Sequence, residues 1–294
     1  MQAALAGFLA DLRSQDGLSP NTFDAYSRDV ERFLRHLAQR GVAAPDRAAP
    51  EDVAELLIAL GDTGLSSPTV ARNLTSIKSF FRHLGRHQPG HPDPTAGLEP
   101  PRQERKLPDI LSVEEVGRLL DAPDPDTPLG RRDRALLELL YATGMRVSEL
   151  VELQLVQLML DSALIRVISR GPRERLVPVG RRAVERLGAY IERDRALLAA
   201  TDEQTVFLNA RGGGLSRMGV WKINRAAAER AGLTRKISPH TLRHSFAAHL
   251  LEGGANLRDI QELLGHTDIA STQVYARMDS LQLQEIHRTY HPRG

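Results

Sequence analysis

The chain has 294 residues, a formal net charge of +2 and no cysteine. Its length exceeds the usual size of one domain, so two domains with separate cores are expected. Without cysteine a disulfide framework, a thiol nucleophile and a Cys-ligated zinc site are all excluded. Aromatic residues make up 4% of the chain, so Leu, Ala, Val and Ile must fill most of the core. No apolar run approaches the roughly 18 residues that cross a bilayer. Met1 to Arg13 carries Asp11 among its apolar positions and reads as a helix rather than a signal peptide, which points to a cytoplasmic protein.

The first hundred residues read as helices with clear starts. Leu5 to Leu12 is the first. Ser19-Pro20 supplies a cap and an N1 proline for the series Phe23, Tyr26, Val30, Phe33, Leu34 and Leu37, with Gly41 after the end. Val53 to Leu60 is the third, and Ser67-Pro68 opens the fourth, with Val70, Leu74, Ile77, Phe80, Phe81 and Leu84. Four amphipathic helices joined by short loops predict an all-helical domain over 1–88. Residues 89–108, rich in proline and charge, predict an extended linker.

A second domain is expected over 109–294. Ser112 and Glu115 form a capping-box pattern ahead of Val116, Leu119 and Leu120. A helix from Arg134 to Thr143 ends at Gly144 and leaves Arg146 just beyond it. Ala163 to Ser169 and Glu174 to Val179 then alternate as strands around a turn at Arg170-Gly171-Pro172-Arg173, a β-hairpin. The remainder reads as helical, with Ser238-Pro239 opening the helix of His240 and Arg243. The fold class is therefore mainly α with a small antiparallel sheet.

Charge distribution says more than its sum. Between Ala210 and Leu251 lie Arg211, Arg217, Lys222, Arg225, Arg230, Arg235, Lys236 and Arg243 against one acid, Glu229. Such a stretch is a candidate phosphate-facing surface. His240 and Arg243 share a helix face near its start, where free N–H groups also favour an anion. Two guanidiniums, Arg146 and Arg243, can hydrogen-bond the non-bridging oxygens of a phosphodiester. His240 and His266 can donate or accept protons, and Tyr275 can be a nucleophile if cations or a base activate a phenol whose ordinary pKa is about 10. Tyr26, Tyr141, Tyr190 and Tyr290 are rival phenols. The spacing His240-x3-His244-x4-His249 offers imidazoles but no intervening acid, so neither a metal nor another cofactor is expected, and His244 and His249 read as packing or capping residues.

Arg146 in Thr-Gly-Met-Arg-Val-Ser-Glu-Leu, His240-Thr-Leu-Arg243-His, Leu-Gly-His266 and Thr-Gln-Val-Tyr275 together resemble the motif series of the tyrosine recombinase (phage integrase) family. Within it the likeness is to the bacterial XerC/XerD chromosome-dimer resolvases. Ser19-Pro-Asn-Thr, the Arg173-Glu-Arg-Leu-Val-Pro-Val hairpin strand and the ending His291-Pro-Arg-Gly lean to the XerD branch. The likeness runs from about residue 3 to the end.

What the resemblance implies is a C-shaped clamp on double-stranded DNA, with a SAM-like helical domain and a catalytic domain. Tyr275 attacks the scissile phosphate and makes a 3′-phosphotyrosyl link, Arg146 and Arg243 stabilise the developing charge, His240 is the general acid/base, and His266 binds a phosphate oxygen. It also implies a tetramer of the chain with itself or with a XerC-like paralogue, in company with a DNA translocase, and docking of the segment from Asp279 to Tyr290 into a neighbouring subunit. The family pattern has a lysine in the hairpin turn, where this chain has Arg170. An arginine with a pKa above about 12 binds phosphate but donates a proton poorly. Two other readings therefore stand beside the recombinase: a DNA-binding protein of the same fold with weak or no cleavage, and a mobile-element integrase.

Overall fold

A computed structural model describes residues 1–14, 18, 20–100, 109–168, 174–199, 202–265 and 286–293. The chain divides into two compact units, Met1–Lys106 and Leu107–Gly294.

The N-terminal unit is built from α1 (Gln2–Ser14), α2 (Pro20–Gln39), α3 (Pro50–Asp62) and α4 (Ser67–His87). Its core is the apolar stripe of each helix: Phe8 from α1, Val30, Phe33 and Leu37 from α2, Val53 from α3, and Leu74, Ile77 and Phe80 from α4. Aromatic edges lock it, with Phe8 on Phe80 at 5.5 Å and Phe80 on Phe81 at 5.4 Å, both T-shaped. Pro50 opens α3, and Asp52 closes its first turn by accepting from the Ala49 N–H at 2.8 Å and from Arg40 Nε at 2.6 Å. The cap Ser19 lies outside the described residues.

The C-terminal unit begins with α5 (Val113–Asp121), whose capping box is formed as its residues require: the Glu115 N–H donates to Ser112 Oγ at 3.2 Å and the Ser112 N–H to Glu115 Oε2 at 2.8 Å. Next, α6 (Pro128–Thr143) is buried around nearly its whole circumference and packs against both α8 (Arg181–Ala189) and α11 (Pro239–Gly253). It starts six residues before the apolar pattern does. Thr127 caps it by accepting from the Gly130 N–H at 3.1 Å, and its polar first turn is held by Arg131, which donates to both oxygens of Asp194.

Between these helices lie α7 (Val147–Glu152) and an antiparallel sheet in the order β1 (Leu158–Met159), β2 (Leu164–Ile168), β3 (Glu174–Pro178). Ile165 faces Val177 and Arg166 faces Leu176 across the hairpin, whose tip, Arg170 included, lies outside the described residues. Helix α8 runs on through a π-helical turn at Tyr190–Arg195 into α9 (Ala196–Leu198). Then comes a stretch that the sequence reading took as helical and the structure corrects. Residues 202–216 are irregular, pinned by the isolated bridges Gln154↔Thr205 and Leu208↔Gly214, with Val206, Phe207 and Leu208 buried. Its backbone groups pair at long range, the Val206 N–H with Leu153 O at 2.8 Å and the Leu215 N–H with Phe207 O at 3.0 Å, in place of the i to i−4 bonds of a helix. The unit ends with α10 (Arg217–Arg230), α11, α12 (Leu257–Leu264) and a helical turn at 286–290. Among the described residues no helix is long and apolar enough to cross a membrane.

Candidate active site

Gly144 ends α6 in the left-handed conformation, φ 57°, and its N–H donates to Leu140 O at 3.0 Å. A Cβ there would lie 2.5 Å from the Phe246 ring, so only glycine lets the chain turn this close to α11. The turn delivers Arg146 to the N-cap of α7.

From there the site is built around one buried carboxylate. Glu149 Oε2 accepts from the Arg146 N–H at 2.8 Å, and Oε1 accepts from Arg146 Nη1 at 3.1 Å. Arg175 on β3 forks onto the same carboxylate, Nη1 to Oε1 and Nη2 to Oε2, each at 3.0 Å. The guanidinium of Arg243, on α11, donates through Nη1 to Gly144 O at 2.5 Å and through Nη2 to Leu264 O at 2.8 Å. The three arginines also converge on the C-terminus of α12, because Arg175 Nε donates to Leu263 O at 3.3 Å and Arg146 Nη2 to Gly265 O at 3.2 Å. A helix leaves its last carbonyls without intrahelical donors, and its dipole is negative there, so cations suit this position. Gly265 caps α12 with φ 61°, and a Cβ on it would come within 3.1 Å of the Arg175 guanidinium.

Among the described residues three guanidiniums here face one carboxylate. Burial lowers the pKa of Arg243 to about 10, and the neighbouring Arg146 and Arg175 push the same way against the opposing pull of Glu149. It stays charged at neutral pH. The side chain of Arg146 remains 39% exposed, so this guanidinium can reach a ligand from solvent.

His240 sits in the first turn of α11 and is exposed. Helix α11 opens as the sequence suggests, with the Thr241 N–H donating to Ser238 Oγ at 3.3 Å. His244, one turn on, has its pKa lowered by burial and by His240 and Arg243. His249 is buried and its Nδ1 meets the Tyr141 hydroxyl at 2.8 Å, a packing role. Arg170, His266 and Tyr275 lie outside the described residues. The rival phenols, by contrast, are engaged elsewhere. Burial raises the pKa of Tyr141 and Tyr190, the latter donating to Val206 O at 3.1 Å, while Tyr290 packs on the core of its unit and Tyr26 on that of the N-terminal unit.

Along the basic stretch Arg211, Arg217, Lys222, Arg230 and Lys236 are exposed, whereas Arg225 pairs with Glu229 and Arg235 with Glu115. Two site residues went unassigned in the sequence reading, Glu149 and Arg175. A capping-box spacing from Arg146 to Glu149 was there to be read, while nothing local marks Arg175. Buried His287 and His291 were likewise unforeseen. His287 Nε2 meets Ala142 O at 2.7 Å and the two rings stack at 4.6 Å. The part of the C-terminal segment that is described thus packs into its own core, and Arg293 adds an ion pair to buried Glu138.

Residues 109–281 match the model of the phage integrase family, and residues 5–88 match that of the phage integrase N-terminal SAM-like domain. The tyrosine recombinase XerD of Chlorobaculum tepidum is 44% identical over 294 residues, covering 99% of this chain and 96% of the relative. That of Listeria innocua is 42% identical over 297 residues, with full coverage of both chains. A lambda integrase tetramer bound to a Holliday junction shares the fold, with a TM-score of 0.72 at 20% identity over 92% of this chain and 76% of that one. The chain belongs to the phage integrase family and is a tyrosine recombinase of the XerD kind.

Proposed function

We propose that the arginine pocket receives the scissile phosphate of a duplex recombination site, and that the chain exchanges strands there in the manner of XerD, resolving chromosome or plasmid dimers in the cytoplasm. The observation that carries this is the approach of Arg146 and Arg243 to the consecutive carbonyls of Gly265 and Leu264, beside the Glu149 carboxylate. Guanidiniums already oriented by the protein can bind charge developing on phosphate oxygens without reorganising.

Tyr275 Oη attacks phosphorus as its proton passes to His240, the bond to the 5′-oxygen breaks, and the 5′-oxygen takes up a proton from solvent as a 3′-phosphotyrosyl link forms. A 5′-hydroxyl of the partner duplex then reverses the step. The number of phosphodiester bonds is conserved, so the exchange needs no ATP. His240 serves as general acid/base and His266 as a phosphate ligand. The lambda integrase tetramer on a Holliday junction supports a tetrameric assembly, made with further copies or with a XerC-like paralogue, and a DNA translocase is the remaining partner that the family likeness suggests.

A second reading, binding with slow cleavage, is favoured by Arg170 standing where the family pattern has lysine. A lost general acid costs about 10²–10⁴-fold. Arg170 then contributes phosphate binding but little proton transfer. Two substrates distinguish the readings. On a natural duplex, a covalent protein–DNA adduct is expected from the wild type and none from Tyr275→Phe; an adduct that survives this change contradicts the assignment. On a duplex with sulfur at the bridging 5′ position, whose leaving group needs no acid, cleavage accelerates at least tenfold if Arg170 limits the rate. Equal rates on both substrates reject the missing-acid idea.

A further inference from the structure

Away from the arginine pocket, the N-terminal unit carries a cluster that recombination chemistry does not use. His83 and His87 stand one turn apart on α4 and Asp11 faces them from α1. Asp11 Oδ2 lies 2.6 Å from His83 Nδ1 and 2.9 Å from His87 Nε2, and the three ligand-type atoms all fall within 4.8 Å of one another. Two histidines at i and i+4 project from one helix face, and a carboxylate from a neighbouring helix completes a three-ligand set of nitrogen and oxygen donors.

We propose that Asp11, His83 and His87 form a binding site for a divalent metal ion of borderline softness, Zn²⁺ foremost, which staples α1 to α4. Three features support it. First, the His83 ring is already oriented: its side chain is 10% exposed and its edge packs on Phe8 at 5.8 Å. Its Nε2 faces Gly7, where a Cβ would stand 3.4 Å away. Second, His87 and Asp11 are 58% and 40% exposed at the side chain, so an ion can enter and keep solvent as a fourth ligand. Third, the adjustment is small. Ligand atoms about 2.0–2.1 Å from a tetrahedral ion are about 3.3 Å apart, so the carboxylate needs to move only about half an ångström from each imidazole, while the two imidazole nitrogens, within 4.8 Å, close toward the same spacing. Arg82 and Arg86 line the same cleft and oppose a cation, which favours a site of moderate affinity.

The test uses the untagged full chain, freed of metal by chelator and titrated with Co²⁺ and then Zn²⁺. Visible ligand-field absorption from Co²⁺, its displacement by one equivalent of Zn²⁺ and a rise in melting temperature with Zn²⁺ are expected. His87→Ala, at an exposed position, and Asp11→Asn each weaken binding at least tenfold. Absence of a cobalt spectrum in the wild type, or undiminished binding in either variant, overturns the proposal.

Discussion

Asp29 in the N-terminal unit and Glu149 in the C-terminal unit are both carboxylates buried among arginines, yet they sit in opposite electrostatic settings. Asp29 pairs with Arg72 and Arg32, accepts from Ser76 Oγ at 3.0 Å, and its arginine partners are 40% and 38% exposed. Burial raises its pKa, the mark of a carboxylate that has lost more hydration than its partners return. Glu149 instead anchors Arg146 and Arg175 beside a third, buried guanidinium, Arg243, whose bonds run to backbone carbonyls. One cluster spends its cations on the protein itself. The other, among the described residues, gathers three guanidiniums around one carboxylate, an arrangement that suits an anionic ligand.

Removing each carboxylate sharpens this difference. Glu149→Ala leaves three crowded guanidiniums without their acid and costs about 3–5 kcal/mol in denaturant unfolding, the scale of a broken buried pair. A loss below about 1 kcal/mol would show that the pocket does not depend on its carboxylate. Next in size, Gly144→Ala forces a side chain into the left-handed region and against Phe246, for about 2–4 kcal/mol. A near-neutral effect would mean that α6 and α11 can part without cost.

Smaller again is a pH effect confined to the C-terminal unit. Burial lowers the pKa of His287 and, well below the ordinary value, of His291. Unfolding restores both toward about 6.5, so the unfolded chain takes up protons first as pH falls. Stability is therefore full above about pH 7.5 and declines as pH drops through about 6.5, by about 1.4 kcal/mol per pH unit for each histidine. Unfolding followed through Trp221, the one tryptophan of the chain, shows this slope, and His291→Gln removes one proton's share of it. A slope unchanged in the variant contradicts the assignment. Smallest is Asp29→Asn, at under about 1 kcal/mol, because half-exposed Arg72 and Arg32 can return to water. A cost as large as that of Glu149→Ala would erase the contrast between the units.

Sequence pattern carried the N-terminal helices well, since α2, α3 and α4 each have a proline in the first turn and all four carry an apolar stripe of helical period. It also located the α11 start at Ser238-Pro239 and the β2–β3 hairpin. It failed where polar contacts made over long range decide the conformation. The first turn of α6 looks like a charged loop until Asp194, 63 residues from Arg131, is placed beside it. The irregular 202–216 stretch is fixed by bridges to Gln154 and across its own turn. The same holds for the site. Arg146 and Arg243 stand in recognisable motifs, but Arg175 acquires its meaning only when the sheet brings it onto Glu149. His287 and His291 are ordinary polar residues until burial strips their water away. The metal cluster was invisible for a related reason: Asp11 and His83 lie 72 residues apart.

The most direct test of the central claim, that Arg243 and Arg146 hold the charge of a scissile phosphate, compares two DNA substrates. One carries the natural phosphodiester and the other a neutral methylphosphonate at the cleavage position. On the first, Arg243→Ala should slow covalent adduct formation by about 10²–10³-fold. On the second, where the charge to be stabilised is gone, the same change should cost less than about tenfold. An equal loss on both substrates would contradict the account and move Arg243 from the phosphate to a purely structural role.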